Sequence, residues 1–154
     1  MMPSLHSTKN NGYEMNIQSN TLPIIYVVAG VFKNSNGEFL IVKRPKNKIM
    51  SDLWEFPGGK IEHQEIPEDA LVRELNEEIN LTPIKIKALP FISHRYETFH
   101  IVLLPYLITE WSGSFNLIEQ QQGYAWIQFD KMDQFEQPAT SLKVMKYLVE
   151  MNLI

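Results

Sequence analysis

The chain has 154 residues, 44% of them hydrophobic, and a net charge of -4, enough apolar material for one core and one domain. It has no cysteine, which excludes a disulfide framework and thiolate metal sites; with no apolar run near the roughly 20 residues that span a bilayer and no signal-peptide pattern, a soluble cytoplasmic protein without a membrane partner is expected. The mildly acidic balance leaves no broad footprint for duplex nucleic acid, although a free nucleotide needs only a local basic cluster or a bound cation.

Residues 1–22 are rich in Asn, Ser and Thr with no apolar period and are predicted to be a flexible tail, leaving 23–154 as the single domain. The β-branched run from Ile24 to Phe32 reads as a buried strand, and the Asn-Gly of "KNSNGE" turns it into "FLIVKR", a hairpin. A lysine-rich connection follows, then the segment "EFPGGKIEHQEIPEDALVRELNEEINL". Strands are expected around Lys85 to Tyr96, from His100 to Glu110 and from Tyr124 to Gln128, the last preceded by a polar loop with Glu119. Leu142, Met145, Leu148 and Val149 sit at helical spacing, predicting a closing helix over Thr140 to Met151. Strands flanking two helices indicate an α/β or α+β fold.

Pro67 suits a first helical turn, Glu68 and Asp69 suit its positive end, and Asn80 can take the left-handed conformation that stops a helix, so a helix is predicted over 67–79. At about 100° per residue, Glu74, Glu77 and Glu78 fall within an arc of roughly 100°, opposite Leu71, Val72, Leu75 and Ile79. Like charges three and four residues apart disfavour a bare helix, so the arrangement calls for a compensating cation. Clustered oxygen ligands are what a hard ion such as Mg2+ accepts, sharing its shell with water and substrate phosphates. The bland alternative is the solvated face of an amphipathic helix.

The wider spacing decides against that alternative. Gly59, Glu65 after five residues, Arg73-Glu74-Leu75 after seven more, then Glu77-Glu78 and Leu81 resemble the Nudix box of diphosphate-cleaving hydrolases, with eight of nine fixed places matched and Asn80 standing where the family has glycine. "WEFPGGKIE", the "GEF" of the hairpin and "EWSGSF" are similar to the MutT-like branch, so that the resemblance spans about 23–150. It implies an α/β/α sandwich with a central mixed sheet and a loop-helix-loop. It also implies a divalent-metal enzyme, with Mg2+ or in its place Mn2+, that hydrolyses nucleoside triphosphates, oxidised ones such as 8-oxo-dGTP among them, to monophosphate and pyrophosphate. Other readings within the resemblance are a hydrolase of ADP-ribose or dinucleoside polyphosphates, or a nucleotide-binding regulator without turnover.

By position the resemblance assigns metal ligation to Glu74, Glu77, Glu78 and the Gly59 carbonyl, the orienting of a box carboxylate to Arg73, and the bracing of the turn to Glu65. Glu119 corresponds to a further ligand or base. Arg44, in the basic run "KRPKNK", resembles a phosphate-facing arginine, while Lys43, Lys46 and Lys48 read as a solvated loop. A purine pocket is expected from Ile25, Val27, Tyr96 and Thr140, and Thr140 stands where relatives that read oxidised guanine have asparagine. His6, His63, His94 and His100 share no metal-ligand spacing and are read as structural or surface residues. Trp54, Trp111 and Trp126 are read as core or turn anchors. A monomer or weak homodimer is expected.

Overall fold

A computed structural model of the protein describes residues 21–154; the expected tail at 1–22 lies, apart from its last two positions, outside the described residues, as does His6. In chain order the elements are β1 (Ile24–Phe32), β2 (Glu38–Lys43), β3 (Trp54–Glu55), β4 (Gly58–Lys60), α1 (Pro67–Ile79), β5 (Leu81–Ala88), β6 (Ile92–Arg95), β7 (His100–Gly113), β8 (Gly123–Gln128) and α2 (Ala139–Glu150), with a 3-10 helix at Phe129–Gln134 before α2. A mixed sheet runs β4-β1-β7-β5, with β6 also on β7, and a second, antiparallel sheet runs β3-β2-β8.

The predicted hairpin is corrected. The chain does reverse at Asn36-Gly37, where Gly37 takes a φ of 77° and donates its N–H to Asn34 O at 3.0 Å. Beyond a single bridge from Lys33 to Phe39, however, β1 and β2 part into different sheets. Both edges of each strand are occupied elsewhere: β1 lies between β4 and a parallel β7, and β2 between β3 and β8. The strand expected over 85–96 is also corrected into β5 and β6, which pair with successive stretches of the long β7. Pro90, lacking a donor, lies in the break between them.

Alternation along β1 feeds two cores. Ala29 and Val31 join Phe39, Ile41, Val144 and Leu148 on the α2 side, whereas Val28 and Phe32 join Leu71, Leu75 and Ile79 on the α1 side. The helices therefore lie on opposite sides of the strands. In α2 the inward face is Thr140, Ser141, Val144 and Leu148, while the predicted Leu142 and Val149 are about half exposed. Val72 likewise points outward from α1, and Ala70 takes its place inside. Trp54 packs edge-on against Phe135, and Trp111 does so against Phe32 while stacking on Trp126, in the anchoring roles expected.

Candidate active site

The Pro-Gly-Gly turn is dictated by two close approaches. β4 runs antiparallel against β1 so tightly that a Cβ on Gly58 would stand 2.0 Å from Val28 O. On Gly59 a Cβ would meet the Glu74 carboxylate, 2.2 Å from Oε2. The helix that carries Glu74 begins at Pro67 and stops at Asn80, whose φ of 58° and ψ of 34° are left-handed, as its place in the sequence predicted. Asn80 adds what glycine cannot: its Nδ2 donates to Ser114 O at 2.8 Å.

That bond starts a zipper. Asn116 N–H donates to Ile79 O and Ile118 N–H to Glu78 O, both at 3.0 Å, while Phe115 and Leu117 pack against the α1-side core. The loop thus caps carbonyls that the helix end leaves unpaired and carries Glu119 to the carboxylates of α1.

Arg73 is the hub of the box. Its Nε and Nη2 donate to the two oxygens of Glu65 at 2.7 and 2.8 Å, Nη1 to Glu74 at 2.8 Å and to Glu77 at 3.3 Å, and Nη2 also to Lys60 O at 3.0 Å. These bonds hold the Glu65 carboxyl at about 2 and push Arg73 further above its ordinary value. Glu65 so ties α1 to the turn in front of it, accepting also from Glu62 N–H at 3.0 Å.

The remaining carboxylates are in excess of this one cation. Glu78 is only 5% exposed and accepts a bond of 2.9 Å from Gly58 N–H. Burial first, then the charge of Glu55, push its carboxyl well above the usual range; Gly58 opposes, Glu119 adds to the rise, and the Gln121 side chain opposes it. Burial also raises Glu74, against the pull of Arg73 and with the push of Glu77 and Glu119. Glu77 is half exposed at the rim. The three glutamates of α1 share a face yet turn to different partners, and among the described residues no three acidic or imidazole side chains stand together as a finished ligand set. The donor chemistry nonetheless suits a hard divalent cation: carboxylate oxygens only, mutually repelling, beside a backbone turn kept bare of side chains.

Glu55 is the site residue that the sequence reading missed. It accepts from Arg44 Nη1 through both oxygens at 2.9 Å, burial raises its carboxyl against that pairing, and its charge reaches Glu78. Its one sequence signal was its place in "WEFPGGK", directly before the turn.

Arg44, predicted to face phosphate, is engaged by Glu55 and by Ile49 O at 2.8 Å. Tyr96 is drawn into the same neighbourhood. Burial raises its hydroxyl, the Thr140 hydroxyl and the charge of Arg44 lower it, and Glu55 raises it again. Thr140 is buried in the first turn of α2, and Ile25 and Val27, both half-buried, share the β1 face that looks toward that helix. The structure therefore brings Tyr96, Thr140 and the Arg44–Glu55 pair together beside Glu78. His94 and His100 lie on the paired β6 and β7, His94 edge-on to the Tyr96 ring and against Lys143, and His100 against Ser93.

The sequence matches the family described as a NUDIX domain over residues 28–147. The chain belongs to the Nudix family. A curated 8-oxo-dGTP diphosphatase of Haemophilus influenzae is 32% identical to this Nudix chain over 126 residues, 82% of this chain and 92% of that one. One from Proteus vulgaris is 40% identical over 89 residues, covering 58% and 80%. A solved MutT from the Aliivibrio salmonicida and Vibrio cholerae pair shares 32% identity, with a TM-score of 0.70 over 83% of this chain and 98% of its own. The protein is a MutT-like Nudix hydrolase acting on phosphoric anhydrides.

Proposed function

We infer that this Nudix enzyme hydrolyses nucleoside triphosphates to nucleoside monophosphate and pyrophosphate, that its cofactor is Mg2+ or, in its place, Mn2+, and that 8-oxo-dGTP, named in its relatives' activity, is among its substrates. The observation that carries the reading is the buried Glu78 carboxylate, crowded by Glu55 and Glu119 with no side-chain cation of its own among the described residues, a repulsion that a cation-bound phosphate relieves. Glu74, Glu77, Glu78, Glu119 and the Gly59 carbonyl are the oxygens that would hold the metal, and the chemistry supplied with it bound would be charge neutralisation at the phosphate and a more acidic water.

The chain's own residues do the rest. Arg73 and Glu65 fix α1 against the Gly58–Gly59 turn, so that Glu74 is held in place while its neighbours bind. Glu74, Glu78 and Glu119 are the carboxylates available to take a proton from attacking water. Arg44, paired with Glu55, exchanges that partner for a phosphate. Ile25, Val27, Tyr96 and Thr140 receive the base. Thr140 offers one hydroxyl donor where an amide would donate and accept together, so discrimination between 8-oxo-dGTP and dGTP is blunter than with asparagine.

The test is incubation with a nucleotide panel, including dGTP and 8-oxo-dGTP, at fixed free Mg2+, with identification of the products. Monophosphate plus pyrophosphate, abolished by chelator, is expected. Diphosphate plus orthophosphate, or full turnover in excess chelator, would overturn the assignment.

A further inference from the structure

The basic segment from Lys43 to Lys48 is used by the carboxylate site only through Arg44. Its remaining residues form a built feature. Lys48 N–H donates to Pro45 O at 3.1 Å, closing a turn with Lys46 and Asn47 at its two corners. The turn stands on a braced base: Arg44 N–H bonds Leu53 O at 3.0 Å, Leu53 N–H bonds Met50 O at 3.1 Å, and Arg44 Nε bonds Ile49 O at 2.8 Å.

Gln122, from the facing loop, locks the two loops together. Its Nε2 donates to Arg44 O at 2.8 Å and to Ser51 O at 2.6 Å, and its N–H donates to Lys43 O at 3.1 Å. Between the loops lies an open cavity of about 460 Å³ lined by Lys46, Asn47, Gln120 and Gln122.

The cavity adjoins the carboxylate site through its own walls. Gln120 follows Glu119 directly, the Gln121 side chain reaches Glu78, and Arg44 leads from Glu55 into the turn. Its lining is opposite in character to that site. It holds one ammonium and three amides, with no acid, and among the described residues Lys46 makes no ion pair. With the Gln122 amide hydrogens spent on Arg44 O and Ser51 O, the Lys46 ammonium and the amides of Asn47 and Gln120 are the donors left for a compact, multiply charged anion.

We propose that this cavity seats the terminal diphosphate of the substrate, and the pyrophosphate after cleavage, with Lys46 as its cation. The assignment rests on the pyrophosphate-releasing reaction given above. The carboxylates of α1 can meet a triphosphate only through a cation, and they repel whatever part of it extends past that cation. An acid-free, donor-lined cavity next to them gives the two outer phosphates a place with the opposite polarity. Because Lys46 is exposed and, among the described residues, its side chain makes no hydrogen bond or ion pair, its contribution appears in binding rather than in folding.

The experiment is product inhibition at fixed free Mg2+, with inorganic pyrophosphate and the nucleoside monophosphate as separate inhibitors. Lys46→Ala is expected to raise the inhibition constant for pyrophosphate and the KM for triphosphate by about 5- to 20-fold, the worth of one charge-assisted contact, with kcat little altered. The constant for the monophosphate stays within about twofold of wild type, since the base and the inner phosphate bind elsewhere. Lys46→Arg restores both pyrophosphate parameters, and Lys48→Ala, the same charge change on the same turn but outside the cavity, leaves them near wild type.

An unchanged pyrophosphate constant in Lys46→Ala, or an equal effect from Lys48→Ala, would overturn the proposal while leaving the reaction standing. Release of orthophosphate by the wild type would remove the reaction itself.

Discussion

Position 78 sets a carboxylate in an almost fully buried place with one backbone N–H for support and two more carboxylates nearby. Glu78→Gln keeps an oxygen for Gly58 N–H and removes the charge. The variant is expected to lose at least about 100-fold in kcat, the order found when one transition-state-stabilising group is deleted. Without metal it should melt higher than wild type, by about 2–4 °C for each kcal/mol of repulsion relieved. Parallel kcat and metal-free melting measurements check this; a variant that melts lower while losing activity would mean that Glu78 is needed for the fold. Glu74, Glu77 and Glu78 could be picked out from the sequence because spacing places them on one helix face, and Glu119 through the family resemblance of its loop. Glu55 could not, because it lies on a two-residue strand and meets Glu78 only through the packing of β3 and β4. The Arg44–Glu55 pair was hidden for the same reason, since no periodicity links its members.

The helix α1 was legible to the residue because its signals are local: a proline at its start, acids in the first turn, and a left-handed asparagine at its end. The sheets were less so. An Asn-Gly turn states that the chain reverses but not that the strands stay paired afterwards, and β1 and β2 separate because other strands fill their edges. In α2 the apolar residues mark two faces, and only the packing against β6 and the core selects Val144 and Leu148 over Leu142 and Val149. Asn80 joins the helix to the loop bearing Glu119, which makes its substitution informative. Asn80→Gly accepts the same backbone and loses one hydrogen bond, so stability should change by no more than about 1 kcal/mol. The amides of Asn116 and Ile118 should then exchange faster, and kcat should fall as Glu119 loosens. Unaltered exchange at those two amides would show that the side chain does not hold the loop.

Across the molecule, two tethers flank the box and give stability opposite pH limits. Glu65, held at about 2 by Arg73, favours the folded state once the pH exceeds its ordinary 4.5, and this support is lost as the pH falls through about 2. Tyr106 donates to Glu68 at 3.2 Å and is pushed up to about 12 by burial and then by Glu68. It keeps its proton in the fold where an unfolded tyrosine has lost it, so its support fades as the pH rises from 10 towards 12. Unfolding curves taken across pH should therefore be less acid-sensitive for Glu65→Gln and less alkali-sensitive for Tyr106→Phe, each relative to wild type. Unchanged pH slopes would show that neither tether matters to the whole.

The Gly59–Glu74 contact bears on how such chains can diverge. Gly58 is confined by backbone, but the space beside Gly59 is taken by a side chain, and that side chain is pinned by Arg73. The glycine and the glutamate are therefore one constraint written at two positions. A lineage that gave up the carboxylate, and turnover with it, would at the same moment release its neighbour to acquire a side chain. Joint drift at these two places would then mark a descendant that keeps the architecture as a binding scaffold, whereas drift at Gly58 would mark a changed strand pairing.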